Sequence, residues 1–134
     1  MQHLHAAQLA ELRQLLETER QRLWERQDAD EAEAVTADVE PGDVQDRASE
    51  EARRLTALRR RKIDEDRLRE VDAALQRMDD GTYGVCEETD EEIPFARLRA
   101  EPTTRFTVEA QQMLEEERAR ESLAGATTSE TDAY

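Results

Sequence analysis

A chain of 134 residues is long enough for one small domain, or for one elongated element with a small globule, and leaves little room for a large catalytic core. Charged residues make up 40% of the chain and aromatic residues only 4%, a bias typical of long exposed helices rather than of a globular α/β body. The formal net charge of −15 opposes direct binding to DNA or RNA, because proteins bind nucleic acids largely through Lys and Arg.

The sequence also argues against a membrane or secreted location. No uncharged apolar run approaches the roughly 18 residues that a membrane-spanning helix requires, and the amino terminus MQHLHAAQLAELR lacks the basic start and apolar centre of a signal peptide. The single cysteine, Cys86, cannot form an internal disulfide bond, which agrees with a reducing compartment. We therefore expect a cytoplasmic protein.

The first predicted element is a long helix from Leu4 to about Glu33. The apolar pattern of this helix fades after Trp24 into an acidic stretch, in which Pro41-Gly42 indicates a turn. Between Glu, Arg and Gln residues, leucines recur at helical spacing and form one narrow apolar stripe along a polar rod: Leu9, Leu12, Leu16 and Leu23.

A second helix is predicted from Asp43 or Asp46 to about Met78, because an aspartate can accept hydrogen bonds from the free amides of a first helical turn. Its lower half carries apolar residues at alternating three- and four-residue steps: Leu68, Val71, Leu75 and Met78. Two helices of similar length joined by one turn make an antiparallel coiled-coil hairpin. The predicted fold is therefore mainly α, with the hairpin over residues 1–80 and its tip at about 36–48.

Near the predicted tip, the second helix carries the basic run Arg59-Arg60-Arg61-Lys62. The favoured interpretation is a solvated helix face whose charges find partners four residues along, such as Arg61 with Glu65. The alternative interpretation is a contact surface for an acidic partner.

The periodic pattern ends at residues 79–84, where Gly81 and Gly84 allow positive backbone φ angles that stop a helix and reverse the chain. A final helix is predicted at 108–123 and a disordered tail at 124–134. Between them, a small globule is predicted over residues 81–110, with an apolar cluster that Pro94 and Pro102 interrupt: Ile93, Phe95, Leu98, Phe106 and Val108.

The most specific pattern lies within the globule, where the chain reads GTYGVCEET, EEI, RLRAEPT and TVEA in this order over residues 81–110. This resembles the DksA/TraR family, whose pattern is close to G-x-[FY]-G-x-C-x-x-C, then E-I, then R-L-x-A-x-P-T, then C-x-x-C. Asp43, Asp46 and Ala48 resemble the D-x-x-D-x-A motif that the family carries at its coiled-coil tip. The resemblance implies a degenerate zinc-ribbon-like globule at the base of the hairpin.

The departure from the family lies at the four metal-ligand positions, which here are Cys86, Thr89, Thr107 and Ala110. A closed structural zinc site needs four Cys or His donors, whereas a threonine hydroxyl is a poor ligand and alanine offers no donor. We therefore predict that no zinc is bound. The pattern is similar to that of zinc-independent DksA paralogues, which are thought to replace the zinc-binding protein when zinc is scarce.

A fold without the metal must recover its stability by packing. Cys86 is expected to be a small buried apolar residue, whose thiol pKa the following acidic residues raise, which argues against a redox-sensing cysteine. His3 and His5 are expected to be plain surface residues. The side chains expected to fill the former site are Phe95, Phe106, Val108, Thr89, Thr107 and Ala110.

The resemblance implies a transcription regulator that enters the secondary channel of RNA polymerase, docks on the rim and modulates initiation at rRNA and stringent-response promoters. The tip residues Asp43, Asp46 and Ala48 would act on initiation, and Arg59 and Arg97 would contact polymerase. Helix capping explains the two aspartates without any function, at about 0.5–2 kcal/mol. The implied protein is a monomer that does not bind DNA directly.

Family members commonly act with the alarmone ppGpp, whose phosphates require basic groups. Positions that align with the family's basic nucleotide-contacting residues hold Glu70, Glu101 and Gln111. We therefore predict that direct contact is weakened, with ppGpp retained at most as a co-regulator at the polymerase interface. A shared site would have to use other side chains, such as Arg67, Arg69 or Arg105.

Three other functions compete with this prediction. A dimerising coiled-coil adaptor would need apolar a and d positions over several heptads, which Arg61, Lys62 and Glu65 interrupt. A transcript-cleavage factor of the secondary channel would use acidic residues at the tip to chelate magnesium. The D-x-x-D-x-A spacing instead favours a regulator of the DksA type. An enzyme is not predicted, because the chain offers no Ser/His/Asp set, metal cluster, glycine-rich phosphate loop or sizeable pocket.

Overall fold

The computed structural model describes residues 1–36 and 44–131, with side chains described for 1–32 and 44–125. Within these ranges the chain forms four helices: α1 (Ala6–Thr36), α2 (Val44–Asp80), α3 (Phe95–Ala100) and α4 (Val108–Thr131). The mainly helical architecture predicted from the sequence, a helical hairpin followed by a C-terminal helix, is confirmed. None of the described helices is both long enough and apolar enough to cross a membrane.

α1 and α2 form the antiparallel hairpin, as ion pairs between them show. Arg13 pairs with Asp79 at 2.9 Å, and Arg20 pairs with Asp72 at 3.8 Å, so residue numbers rise along one helix as they fall along the other. At a rise of about 1.5 Å per residue, α2 is about 55 Å long. The apolar stripe of α1 packs against the seam of α2, and the buried residues are Leu12, Leu16, Leu23, Val71, Ala74, Leu75 and Met78.

This packing is confined to the half of the hairpin next to the globule. None of the described residues in 24–32 and 44–70 is buried, and Leu55 and Leu58 are 50% and 61% exposed. Ion pairs link the helices in that half, Arg26 with Asp64 at 3.3 Å among them. Exposed ion pairs contribute only about 0–1 kcal/mol each, so the helices are held less firmly there, as the polar seam of the sequence predicts.

The globule begins where α2 ends. Gly81 and Gly84 have φ angles of 78° and 81°, and an isolated antiparallel bridge joins Val85 to Glu92. The Tyr83 hydroxyl donates a 2.7 Å hydrogen bond to the Pro102 carbonyl, and burial raises the pKa of Tyr83 to about 12. One core continues without a break from the hairpin into the globule, and it includes Leu4 together with the globule residues Tyr83, Cys86, Ile93, Leu98 and Ala110.

Some predicted boundaries are wrong. α4 extends to Thr131, so the final helix does not end at residue 123. The alanines of this segment favour helix, and Gly125 costs only about 1 kcal/mol relative to alanine, so nothing stops the helix. The six-residue helix α3, which begins after Pro94, was not predicted from the sequence. The turn at 37–43 lies outside the described residues.

Candidate functional site

Of the degenerate ligand positions, Thr107 lies directly against the sulfur atom of Cys86. The Thr107 backbone N–H donates to Cys86 Sγ at 3.5 Å, and the Thr107 hydroxyl lies 3.9 Å from the same sulfur. Thr89 also lies close enough to the thiol to help lower its pKa. The Thr107 hydroxyl in turn accepts the Ala110 N–H at 3.2 Å, so a former ligand position now caps the first turn of α4.

This donor set does not fit a zinc ion. One sulfur, two hydroxyl groups and one methyl group cannot supply the four Cys or His ligands of a closed structural site. In the described part of the chain, no group of three or more His, Cys, Asp or Glu side chains could hold a metal ion.

The predicted packing of the former site is wrong in two places. Val108 is 45% exposed, because it opens α4 on the outer side of the globule, and Thr89 is also exposed. Phe95 and Phe106 do pack against the core and are partly buried. Thr107 and Ala110 are buried as predicted, so their side chains and the hydrogen bonds to Cys86 together close this part of the globule.

The prediction that acidic neighbours raise the Cys86 pKa is also wrong. Burial does raise the pKa of this thiol, but hydrogen bonds from the Thr89 side chain and from the backbone of Thr107, Thr89 and Glu88 outweigh it, and they lower the pKa to about 7. Glu87 and Glu88 are exposed, so water screens their charges. Donors at short range to the sulfur decide the outcome, and Cys86 is not a plain apolar residue.

Arg97 makes its hydrogen bonds inside the globule. Its Nε donates to the Phe106 carbonyl at 2.9 Å, and its Nη2 donates to Thr104 Oγ1 at 3.3 Å and to Gln111 Oε1 at 2.6 Å. The sequence suggested a polymerase contact for this residue and did not reveal these partners. Its guanidinium ties α3 to the start of α4.

The junction between hairpin and globule depends on a second arginine, Arg67. It donates to both carboxylate oxygens of Glu19 on α1, and to Thr103 Oγ1 at 2.8 Å. The hydrogen bond to Glu19 is the main cause that raises the pKa of Arg67. Arg77 donates to the Thr103 carbonyl at 3.2 Å, so two arginines of α2 hold the same globule residue.

The side chains considered for nucleotide contact are mostly engaged within the chain. Glu70 accepts a hydrogen bond from Arg67 at 3.2 Å, and Arg69 pairs with Asp66 at 3.4 Å. Arg105 pairs with Glu87 at 3.4 Å, and its guanidinium lies 5.2 Å from the centre of the Phe106 ring. Glu101 is exposed, and its backbone N–H closes the end of α3.

His3 is not the plain surface residue that the sequence suggested. Its side chain is 16% exposed, its Nε2 lies 2.8 Å from the Ile93 carbonyl, and its Nδ1 lies 3.9 Å from the Glu92 carboxylate. The space exists because Gly84 has no side chain: a Cβ there would lie 3.1 Å from Leu4 and 3.3 Å from His3. The glycine at position 84 is the one sequence feature that agrees with this contact, although it predicted only a chain reversal. His5 is exposed, as predicted.

At the other end of the molecule, the structure describes two of the three predicted tip residues. Asp46 lies in the first turn of α2, where capping was predicted, and both Asp46 and Ala48 are exposed. Asp43 lies outside the described residues. These side chains are far along the hairpin from Cys86, at the end without buried residues.

The residues of the basic run of α2 differ in whether they form ion pairs within the described part of the chain. Arg61 pairs with Glu65 at 3.3 Å and Lys62 with Asp66 at 3.0 Å, which confirms the predicted pairs along one helix face. Arg59 has no ion pair within the described part of the chain and remains available to a partner.

A groove of about 870 Å³ lies along α1 beside α3, which corrects the expectation that no sizeable pocket can form. It is open to solvent, and Leu15, Arg22, Arg26, Arg99 and Pro102 contribute to its lining. It lies apart from both Cys86 and the tip.

Comparison with known proteins matches the globule to a family. Residues 81–116 match the family model described as "Prokaryotic dksA/traR C4-type zinc finger". General stress protein 16O of Bacillus subtilis is 53% identical over 64 residues, which are 48% of this chain and 39% of that protein. The RNA polymerase-binding transcription factor DksA of Caulobacter vibrioides is 49% identical over 70 residues, 52% of this chain and 49% of that protein. The chain thus matches less than half the length of these two relatives.

A solved structure extends the match over most of the chain. Transcription factor DksA2 from Pseudomonas aeruginosa superposes with a TM-score of 0.75 at 34% sequence identity, covering 85% of this chain and 88% of that one. The likeness therefore includes the hairpin as well as the globule.

Proposed function

Because the chain belongs to the DksA/TraR family, we propose that it is a cytoplasmic transcription regulator that binds RNA polymerase through the secondary channel and modulates initiation, without catalysing a reaction. The observation that carries the proposal is the pairing of two features on one chain. The non-ligand framework of the family's globule is kept over residues 81–110, and the exposed Asp46 stands at the opposite end of a long hairpin.

The physical properties of the hairpin suit this role. The longer helix, α2, is about 55 Å long, and the outer half of the hairpin is mainly charged and polar, so it can pass through a water-filled channel. The net charge of −15 opposes binding to the DNA template, so contact with the polymerase itself must position the protein. Arg59 is a candidate for such a contact, while Arg97 supports the globule that docks on the rim. A monomer is sufficient for all of these contacts.

The proposed acting groups are Asp43, Asp46 and Ala48 at the tip. Capping of α2 and action on polymerase are compatible for Asp46, because a residue in the first turn of a helix at the end of a rod is among the first groups to meet a partner.

We further propose that the protein replaces a zinc-binding relative when zinc is scarce. The support is chemical: three of the four ligand positions hold Thr89, Thr107 and Ala110, and Cys86 Sγ accepts a hydrogen bond from the Thr107 N–H. A fold that needs no zinc would persist where a zinc-dependent one unfolds.

Direct contact with ppGpp is proposed to be weak. Glu70 and Glu101 carry the wrong charge for phosphate, and Gln111 accepts a hydrogen bond from Arg97. Arg67, one of the possible substitutes, is occupied by Glu19. The nucleotide would then act as a co-regulator mainly through the polymerase.

Replacement of Asp46 by Asn tests the role of the tip. Asp46→Asn removes one charge with little change of shape, and loss of the helix-dipole interaction costs only about 0.3–1 kcal/mol, so the hairpin should stay folded. We expect the variant to bind core polymerase in a pull-down that contains a chelator, yet to lose its effect in run-off transcription from an rRNA promoter. Glu51→Gln, an equal charge change at an exposed position of the same helix, should keep both properties.

Full transcriptional activity of Asp46→Asn would contradict the assignment of the tip. In the same assay, ppGpp should potentiate this protein less than it potentiates a zinc-binding relative. Cleavage of backtracked transcripts that needs Asp46 would instead support a cleavage factor.

A further inference from the structure

We propose that Arg97 and Gln111 stabilise the globule where a zinc-binding relative would use a metal. They hold the peptide group between Phe106 and Thr107, which links the two turns of the globule. This inference concerns how the globule is held together and is independent of the proposed function. A metal bound to four cysteines would join the turn at 86–89 to the turn at 107–110. With Thr89, Thr107 and Ala110 at three ligand positions, other contacts must join these two turns.

The first step of the argument is that one peptide group is held from both sides. The Phe106 carbonyl accepts a 2.9 Å hydrogen bond from Arg97 Nε, and the Thr107 N–H of the same peptide donates to Cys86 Sγ at 3.5 Å. Because the peptide is planar, the arginine that fixes the carbonyl also fixes the direction of the N–H. Arg97 therefore orients the Thr107 N–H, which donates to Cys86 in the turn at 86–89.

The second step is that Gln111 holds the arginine. Its Oε1 accepts from Arg97 Nη2 at 2.6 Å, and its backbone N–H donates to the Thr107 carbonyl at 2.9 Å. The same Nη2 reaches Thr104 Oγ1 at 3.3 Å. The planar guanidinium thus joins α3, the segment before α4 and the first turn of α4, as its fork of donors permits.

The third step is that the turn at 86–89 has one more hydrogen bond to the segment before α4. The Glu87 N–H donates to the Arg105 carbonyl at 2.9 Å. The contacts from 86–87 to 105–107 and from Arg97 to 104–111 therefore link the two halves that four metal bonds would otherwise link. Hydrogen bonds in such a chain polarise one another, so loss of one weakens the next.

The test compares Arg97→Lys and Gln111→Ala with Arg99→Lys, which changes an exposed arginine of the same helix α3 that pairs only with Glu11 among the described residues. We expect the first two variants to lower the melting temperature by about 5–10 °C and Arg99→Lys to change it by less than about 2 °C. Amide exchange at Thr107 should be faster in Arg97→Lys than in Arg99→Lys under conditions in which both are folded.

A metal-rescue experiment provides a second measurement. A background with Thr89→Cys, Thr107→Cys and Ala110→Cys restores four cysteines, and zinc bound there should make Gln111→Ala nearly harmless to the melting temperature. Chelation should restore the sensitivity. The proposal is overturned if Arg97→Lys behaves like Arg99→Lys in both melting and Thr107 exchange, or if Gln111→Ala is as harmful in the zinc-loaded background as in the natural sequence.

Discussion

Cys86 occupies the one ligand position at which the family's residue type is kept, and its surroundings still favour a thiolate. Burial raises the pKa of the thiol, but interactions with the Thr89 side chain and with the backbone of Thr107, Thr89 and Glu88 outweigh it and lower the pKa to about 7. An ordinary thiol has a pKa near 8.5. The folded state therefore releases the thiol proton at a lower pH than the unfolded chain.

This difference predicts a pH-dependent stability. Because the folded-state pKa is depressed, the contribution is fully present above the unfolded pKa and is lost as the pH falls through about 7. Between pH 6 and pH 9 the free energy of unfolding should rise by on the order of 2 kcal/mol more in the natural protein than in Cys86→Ser, measured by urea denaturation. Other groups titrate equally in both proteins and cancel. Parallel stability profiles of the two proteins would show that the thiolate is not favoured.

The hairpin is one element with two differently packed halves. Leu75 is 6% exposed within the seam beside the globule, whereas Leu58 is 61% exposed in the half without buried residues. Burial of apolar surface stabilises the first half, while the second depends on helix propensity and on exposed ion pairs, which contribute little. The half that carries the tip is therefore the half that can adapt to a partner.

A matched pair of leucine variants tests this difference. Leu75→Ala should lower the free energy of unfolding by about 2–5 kcal/mol, because it leaves a cavity in the core. Leu58→Ala should change it by less than about 0.5 kcal/mol, because alanine favours helix and the side chain is already in water. Urea denaturation followed by circular dichroism measures both. A cost for Leu58→Ala close to that of Leu75→Ala would mean that the outer half is packed in solution.

At the scale of the whole molecule, the globule and the hairpin form one folded body. Leu4 and the globule residues share a core with α1 and α2, and Arg67 and Arg77 both hold Thr103. A substitution that destabilises the globule should therefore also destabilise the hairpin, and any metal bound in the globule would stabilise the whole protein.

Chelation is consequently a test of the entire fold. We expect excess EDTA to shift the melting temperature by less than about 1 °C, because the described donor set around Cys86 cannot hold zinc. Protein with Thr89→Cys, Thr107→Cys and Ala110→Cys, loaded with zinc, is the positive control and should lose stability on chelation. A clear fall in the melting temperature of the natural protein would reveal a metal site.

The sequence by itself determined the features that depend on periodicity and residue type. The leucine spacing of α1 and the seam of α2 predicted the hairpin, since a helix places residues three and four apart on one face. The glycines and the retained framework of residues 81–110 located the globule. The residue types at 89, 107 and 110 ruled out a closed zinc site, because ligand chemistry is a property of the side chain alone.

Only the tertiary structure decided what the individual polar side chains do. His3 and Ile93 are 90 residues apart in the chain, and Arg67 and Glu19 are 48 apart, so no local pattern could pair them. The fold brings these partners within hydrogen-bond distance, and short-range donors then outweigh charges nearby in sequence, as at Cys86. The contacts of Arg97, Gln111 and Thr107 around the former zinc site depend on the relative placement of α3 and α4. The sequence pattern does not specify that placement.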